Sequence, residues 1–404
     1  MNRAACTIVS LNYLPYARTL CESFLAFHPD YKFYVLLVDR IPSGLDLSRE
    51  QFELVLVEDL GITNFEEVAF KYGILELNTN VKPTFLKKLL GRGLDQVIYF
   101  DPDILVCSHL NLIYDSLGEN GIVITPHCTS PNEQGPYAEV LLLGGGVYNL
   151  GFIGVSKLAE TDRFLNWWEH RCLTLGYDER WAGLFVDQKW INLVPCYFES
   201  VLILKQPGCN VAYWNLHERT LERTETSWLV NGDAPLLFFH FSGISVDGGQ
   251  RISKHTDQFD LTSRPDLAEL FADYRGRLIA NGIREMGRYR YAFGSFNNGE
   301  LINKLQRAAF AANLDHFGNL NPFDAAGPFY KWAKRNHLQG SQDSIAKYGR
   351  KAYSASDTRV LLINSMFRLA LRVLGPDRYT ILMKYLEFAS LLRNQRDIFS
   401  RGSR

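Results

Sequence analysis

Apolar positions along the first half of the chain come in short bursts separated by longer stretches of helical spacing. Cys6 to Leu11, Lys32 to Val38 and Phe52 to Val57 each read as a strand, rich in β-branched and aromatic residues. Ala17 to Phe27 and Lys82 to Leu90 carry apolar residues at helical intervals. Gln96-Val97-Ile98-Tyr99-Phe100, apolar from Val97 on, reads as a buried strand, and Gly121 to Thr125 is another short strand. Strands alternating with helices predict a largely parallel sheet with helices on both faces.

The pattern changes at Leu141 to Val155, which is apolar and glycine-rich and so lets the backbone approach something closely. A strand-like run follows the glycines, so this is no G-x-G-x-x-G dinucleotide loop. Thr161 to Leu175 predicts a helix whose Phe164, Trp167 and Trp168 are expected in the core. From Pro265 the spacing is mainly helical, broken at Pro322, Gly327 and Pro328 and by the polar stretch Gln339 to Asp343. Two late helices, Thr358 to Leu374 and Tyr379 to Leu392, are expected on either side of Gly375-Pro376. The boundary is placed at 264/265, dividing residues 1–264 from a helical region, 265–404.

With 404 residues, 47% hydrophobic and 22% charged, the chain has the make-up of a globular protein of more than one domain. Its formal net charge of −1 gives no global attraction to nucleic acid. The charge is unevenly spread: residues 330 to 404 hold 15 Lys or Arg against 5 Asp or Glu. Arg359, Arg368, Arg372, Arg378 and Lys384 accompany apolar faces there, as in helices that lie on an anionic membrane surface. Packing on the main domain or on a second subunit is the alternative. Seven scattered cysteines with no C-x-x-C pair point to a reducing cytoplasm. The N-terminal apolar run is too short for a signal peptide, and no stretch has the length of a spanning helix.

The chemistry concentrates at Asp101-Pro102-Asp103, where the Gln96–Phe100 strand stops. Ligands of open α/β sheets bind at such carboxyl ends. Pro102 holds the turn rigid, and two neighbouring carboxylates call for a cation or a proton between them. Hard oxygen ligands suit Mg²⁺ or Mn²⁺ beside substrate phosphates. His240, after the strand-like run Leu236 to Phe239, can add an imidazole, which favours Mn²⁺ over Mg²⁺. A lone histidine there would otherwise be a core residue.

The ordered set Ser10-Leu11-Asn12-Tyr13, Lys82-Pro83, Tyr99 to Ile104, Tyr148 to Phe152, Asp187 to Trp190 and Phe239 to Gly243 resembles the GT-A glycosyltransferases of glycosyltransferase family 8. That family includes glycogenin and bacterial lipooligosaccharide galactosyltransferases, and the resemblance spans roughly residues 5 to 260. It implies a GT-A fold and retaining transfer of a hexose-type sugar from a nucleotide sugar, a UDP-sugar, to a glycan or lipid-linked glycan. It further implies Asp101, Asp103 and His240 as metal ligands. Ser10, Asn12 and Tyr13 would hold base and ribose, Lys82 would face the donor, and Asn149 and Gly151 would hold and make room for the sugar. Asp187 and Gln188 would act at the anomeric carbon, by a front-face or a double-displacement route.

Each of these residues also has a bland alternative. Tyr13 can be a half-buried aromatic, Lys82 a solvated helix start, Asn149 an internally bonded bulge and Asp187 a helix N-cap. The family's His-x-x-Gly-x-x-Lys reaches Gly243 but meets Val246 where lysine is usual. A looped insertion through Asp247-Gly248-Gly249 would bring Lys254 back to the phosphates; Lys254 is otherwise an ordinary exposed lysine. Tyr213 to Arg219 is dense enough in aromatic and polar groups for an acceptor surface, or is a packed loop.

Two rival classes remain. A haloacid-dehalogenase-like phosphatase also places Asp-x-Asp after a strand, but near its N-terminus and completed by later paired acids. A non-catalytic carbohydrate-binding protein on the GT-A frame is the other.

Overall fold

The computed structural model describes residues 1–132, 136–340 and 357–395. The end of the polar stretch Gln339 to Asp343 and parts of the basic tail lie outside them. Two compact units emerge: Met1–Thr63 with Ile74–Ala292, and Asn64–Gly73 with Phe293–Arg404.

The first unit is built on β1 (Arg3–Val9), β2 (Lys32–Leu37), β3 (Glu53–Leu56), β4 (Gln96–Phe100), β5 (Ile104–Val106), β6 (Ile122–Pro126) and β7 (Tyr148–Ser156). The main sheet runs Val201–Ile203, β6, β7, β4, β1, β2, β3. All neighbours are parallel except β7, which is antiparallel to both β4 and β6, so the sheet is mixed. Alternate residues of a strand face opposite sides, and here both sets are buried. Ala5, Val9, Ile98, Phe100 and Phe152 pack with the helices Leu14–Phe27 and Asn111–Glu119. Cys6, Val97, Tyr99 and Ile153 face the side covered by Lys82–Gly91 and Ala159–Leu175. Continuous apolar runs follow from that double cover.

Chain order matters for the site. The path goes from β1 outward through β2 to β3, then returns to β4 on β1's other flank. The carboxyl ends of β1 and β4 thus flank the point where the winding reverses, which opens a crevice in sheets of this kind. A second core joins Phe239, Phe241, Leu267, Leu270, Phe271 and Tyr274, so the helix Ala268–Ala280 belongs to this first unit. Phe164 and Trp168 are fully buried, as expected, whereas Trp167 is only half-buried, against Trp190, Tyr197 and Phe198.

The second unit is mainly helical. Phe70, Phe293, Phe310, Phe323 and Phe329 form an aromatic core. Arg307 donates to the carbonyls of Ala69, Phe70 and Tyr72, at the end of the helix Phe65–Lys71 where carbonyls lack helical partners, and to that of Phe293. Thr358–Ser390 is helical on both sides of a break at Gly375, whose φ of 73° only glycine adopts freely. No residue of that segment is buried.

Candidate metal and donor site

Asp101, Pro102 and Asp103 form the turn between β4 and β5. Asp101 N donates to Gly151 O at 2.7 Å and Ile104 N to Asp101 O at 3.2 Å, so the turn is fastened at both ends. The strand Phe238–His240 pairs antiparallel with β5, setting His240 opposite Ile104. That register carries the imidazole to the acids. His240 Nε2 lies 3.0 Å from Asp103 Oδ1 and 3.9 Å from Asp101 Oδ2. One ligand atom from each of the three falls within 4.8 Å of the others, a spacing that fits a single ion.

Gly151 makes this convergence possible. A Cβ there would sit 2.3 Å from His240 Cε1 and 2.6 Å from its Nδ1. The volume freed by this glycine is filled by the imidazole, whereas the resemblance reserved it for a sugar ring.

Lys82 opens its helix but points inward and is 1% exposed. Its ammonium lies 2.6 Å from Asp187 Oδ2 and 3.9 Å from Asp101 Oδ1, donates to Leu150 O at 2.8 Å, and stands 4.2 Å above the Tyr99 ring. Tyr99 in turn donates its hydroxyl to Asp101 Oδ1 at 2.7 Å. Asp187 does not cap the short helix that follows it. Its carboxylate meets Lys82, while Trp168 Nε1 donates to its carbonyl at 2.9 Å. Gln188 accepts from Leu150 N at 3.1 Å and donates to Gly145 O at 2.9 Å.

Burial and charge compete here. Burial draws the His240 imidazole toward neutrality, but the charge and hydrogen bond of Asp103, with Asp101 behind, hold its pKa above the ordinary value. Burial pushes the Asp103 carboxyl up, and His240 more than reverses it. Asp187 ends above the usual carboxylate range, because its burial outweighs the Lys82 partner.

The segment after β1 stands on the crevice's other flank. Ser10 Oγ donates to Asn12 Oδ1 at 2.7 Å, and Tyr13 stacks on Tyr16 with centroids 4.7 Å apart. Buried Asp39, at the end of β2, accepts from the backbone N–H groups of Leu11, Arg40 and Ala292 and fixes this turn. Beyond His240, Gly243 adopts a φ of 76°, and the loop through 247–252 returns so that Lys254 N donates to Gly243 O at 2.9 Å. The Lys254 side chain is exposed. Trp214 meets His240 edge-on at 5.1 Å, and Tyr213 meets Trp214 at 5.0 Å, which places the aromatic pair along the same wall. Glu218 accepts from the backbone and hydroxyls of Thr129 and Ser130.

Asn149 uses its whole amide internally. Its Oδ1 accepts from Gly151 N and from Asn210 Nδ2, both at 3.0 Å, and its Nδ2 donates to His127 Nε2 at 3.1 Å. Asn210 and His127 join the site unannounced by any local sequence signal. They are single polar residues in loops, brought to the site by the fold and held there through Asn149 and Asn215.

No protein-family model matches the chain. Among curated proteins it is 25% identical over 284 residues to the uncharacterized protein YfnF of Bacillus subtilis (strain 168), covering 69% of this chain and 93% of that one. It is 24% identical over 248 residues to YfnD of the same organism, covering 59% and 77%. Solved structures similar to it include galactosyltransferase LgtC in complex with donor and acceptor sugar analogues, at 18% identity and TM-score 0.39, over 68% of this chain and 95% of that one. The glycosyltransferase GlyE of Streptococcus pneumoniae TIGR4 gives 16% and 0.41, over 76% and 72%. A glycosyltransferase involved in glycosylation of the major capsid of PBCV-1 gives 12% and 0.36, over 69% and 100%. At such scores the likeness decides nothing about the site, whose chemistry rests on its own side chains.

Proposed function

We propose that this chain is a metal-dependent, retaining glycosyltransferase that moves a hexose-type sugar from a nucleotide sugar, a UDP-sugar, to a glycan acceptor. The observation that carries the reading is the convergence of Asp101, Asp103 and His240 at the reversal point of the sheet. Two carboxylates and an imidazole fit Mn²⁺, with Mg²⁺ second. The Gly151 cradle holds the imidazole where that donor set needs it. When bound, such an ion supplies Lewis-acid stabilisation to a departing diphosphate.

The chain's own residues do the rest. Ser10, Asn12 and Tyr13 hold the nucleoside at the end of β1. Lys82 adds a fixed positive charge on the donor side of Asp101. Gly243 and Lys254 bring backbone and cation toward the diphosphate. Asn149 and Gly151 form the wall behind the sugar. Asp187 and Gln188 are the catalytic pair, steadying positive charge at the anomeric carbon. Asp187 is ion-paired to Lys82 and the Gln188 amide is engaged on both ends. These bonds favour a front-face route, in which the leaving phosphate oxygen takes the acceptor's proton. Tyr213 and Trp214 offer ring faces to an acceptor sugar. We assign the catalytic side chains to residues 1–264; residues 265–292 pack within the same unit as support, and the remainder of 265–404 takes another role.

A panel of nucleotide sugars, with and without Mn²⁺, tests this directly. Mn²⁺-dependent thermal stabilisation by a UDP-sugar, and release of UDP from it, are expected. Release of phosphate from simple phosphomonoesters instead would favour the phosphatase, and sugar binding without turnover the non-catalytic protein.

The acceptor is proposed to be a lipid-linked glycan met at the cytoplasmic membrane face. Along Thr358–Ser390, Leu362, Met366, Leu369, Val373 and Ile381 are at least 62% exposed among the five cations named above. Among the described residues no helix is long and apolar enough to cross a membrane. Salt-sensitive binding to anionic liposomes, weakened by Arg368→Gln with Arg372→Gln, is expected. A stable dimer without liposome binding would assign these helices to a second copy instead.

A further inference from the structure

Nothing local in the sequence marks Asn210, yet it touches the imidazole that the cation site requires. Asn210 is fully buried and holds a φ of 55°, a left-handed conformation that asparagine tolerates better than most residues. The turn is locked around it. Asn215 Nδ2 donates to Asn210 O at 3.0 Å, and Asn215 Oδ1 accepts from Ala212 N at 2.9 Å. Val211 N donates to Phe238 O and His240 N to Val211 O, so this segment runs alongside the strand that bears His240.

The hydrogen bonds through this region have one consistent direction, set by a group that can only donate. Gly151 N donates to Asn149 at 3.0 Å, so the Asn149 atom facing it is Oδ1. The same Oδ1 takes a second bond at 3.0 Å from Asn210, so Asn210 turns its Nδ2 that way, where it also reaches Thr125 Oγ1 at 3.0 Å. Its Oδ1 is thereby left facing His240 Nδ1 at 3.3 Å. A carbonyl oxygen accepts and cannot donate. Nδ1 must therefore carry a hydrogen, and Nε2 is the nitrogen presented to Asp101 and Asp103.

We propose that Asn210 is a positioning residue for the cation site: anchored through Asn149 to the Gly151 amide, it fixes the His240 tautomer and ring plane so that Nε2 is the ligating atom. This deepens the metal-dependent reading above and rests on it. Imidazole ligands commonly donate their second N–H to a carbonyl or carboxylate, and loss of that partner costs ~10–100-fold in metal affinity. Gly151 acquires two tasks in one residue. Its missing Cβ admits the imidazole, and its N–H sets the polarity of the chain that orients it.

The test uses the full-length chain. With ¹⁵N-labelled histidine and Zn²⁺ as a diamagnetic probe, long-range ¹H–¹⁵N spectra are expected to show His240 protonated at Nδ1 and metallated at Nε2. Asn210→Gly keeps the backbone conformation and removes the acceptor. It is expected to weaken Mn²⁺ binding, followed by electron paramagnetic resonance without any donor, by ~10–100-fold at unchanged far-ultraviolet circular dichroism. Ligation through Nδ1 in the unmodified chain would overturn the proposal, even if the variant does not fold. Equal Mn²⁺ affinity of variant and parent, within twofold, would overturn it while sparing the metal site. A parent chain that takes up neither ion removes both.

Discussion

His28 and His240 are both buried imidazoles within one compact unit, and they keep opposite electrostatic company. His28 lies among Phe24, Tyr31, Tyr114 and His109, stacked on Tyr31 with centroids 5.0 Å apart, and its Nε2 accepts from Leu110 N at 3.0 Å. Burial, with lesser contributions from His109 and Arg3, takes its pKa down from 6.5 to about 4. His240 is equally inaccessible, but two carboxylates face it and hold its pKa above the ordinary value. Burial alone strips the charge from a histidine and makes it a building element. Burial against paired acids keeps positive charge in place, and a site that holds a proton this way offers the same electrons to a cation.

Asp103→Asn attacks the difference where it is largest. The amide keeps the shape and removes the charge that most strongly opposes burial at His240. His240 should then titrate below the ordinary histidine value and come to resemble His28, measurable by histidine NMR. Mn²⁺-dependent turnover should fall by ~10²-fold or more with the fold retained in circular dichroism. Undiminished turnover would refute the metal assignment.

Gly151→Ala is a steric version of the same question. The added methyl would lie 2.3 Å from His240 Cε1, so the ring or the strand must shift. A cost of about 1–3 kcal/mol in stability is expected from such overpacking, read by denaturant unfolding. Mn²⁺ affinity should drop by roughly 10-fold. If affinity holds while stability falls, the imidazole has room to retreat and the ion does not depend on it.

The two regions also differ in how far the sequence reveals them. β4 is legible because cover on both faces makes Val97 to Phe100 continuously apolar, and the two acids at its end stand one residue apart in the chain. His240 is legible through the resemblance and its strand-like approach. Boundaries are less so: β1 is Arg3–Val9 where Cys6 to Leu11 is expected, because Asp39 takes the Leu11 N–H and draws Leu11–Tyr13 into a tight turn. The helix Leu14–Phe27 starts ahead of Ala17, since Pro15 is tolerated in a first turn where its missing N–H has no partner to lose. The helix Pro136–Gly145 escapes because Gly144 and Gly145 argue against it and Val140, Leu141 and Leu143 are exposed, leaving no amphipathic stripe. Asn210 and His127 escape for a different reason. Thr125, Asn149, Asn210 and His240 stand more than twenty residues apart from one another in the chain and meet only in the fold, through the side chain of Asn210.

The smallest effect is a slope, and its sign separates the two histidines. In the chelator-treated chain His28 has a depressed pKa when folded, so between about 4 and 6.5 the unfolded chain binds a proton that the folded one refuses. Stability linked to His28 is therefore fully present above 6.5 and is lost as pH falls toward about 4. His240 runs the other way. Its folded pKa is raised, so its share is present below the ordinary value and disappears as pH rises through the folded one. Thermal unfolding followed across pH should show a decline on the acid side that becomes shallower in His28→Gln, which keeps a hydrogen-bond acceptor but cannot be protonated. His127, lowered by burial to about 4, leaves a residual acid slope in that variant. The decline that begins above the ordinary histidine value, before the buried thiols titrate, should survive His28→Gln and vanish in Asp103→Asn. If both variants flatten the same limb, the two imidazoles do not differ in the way their surroundings require.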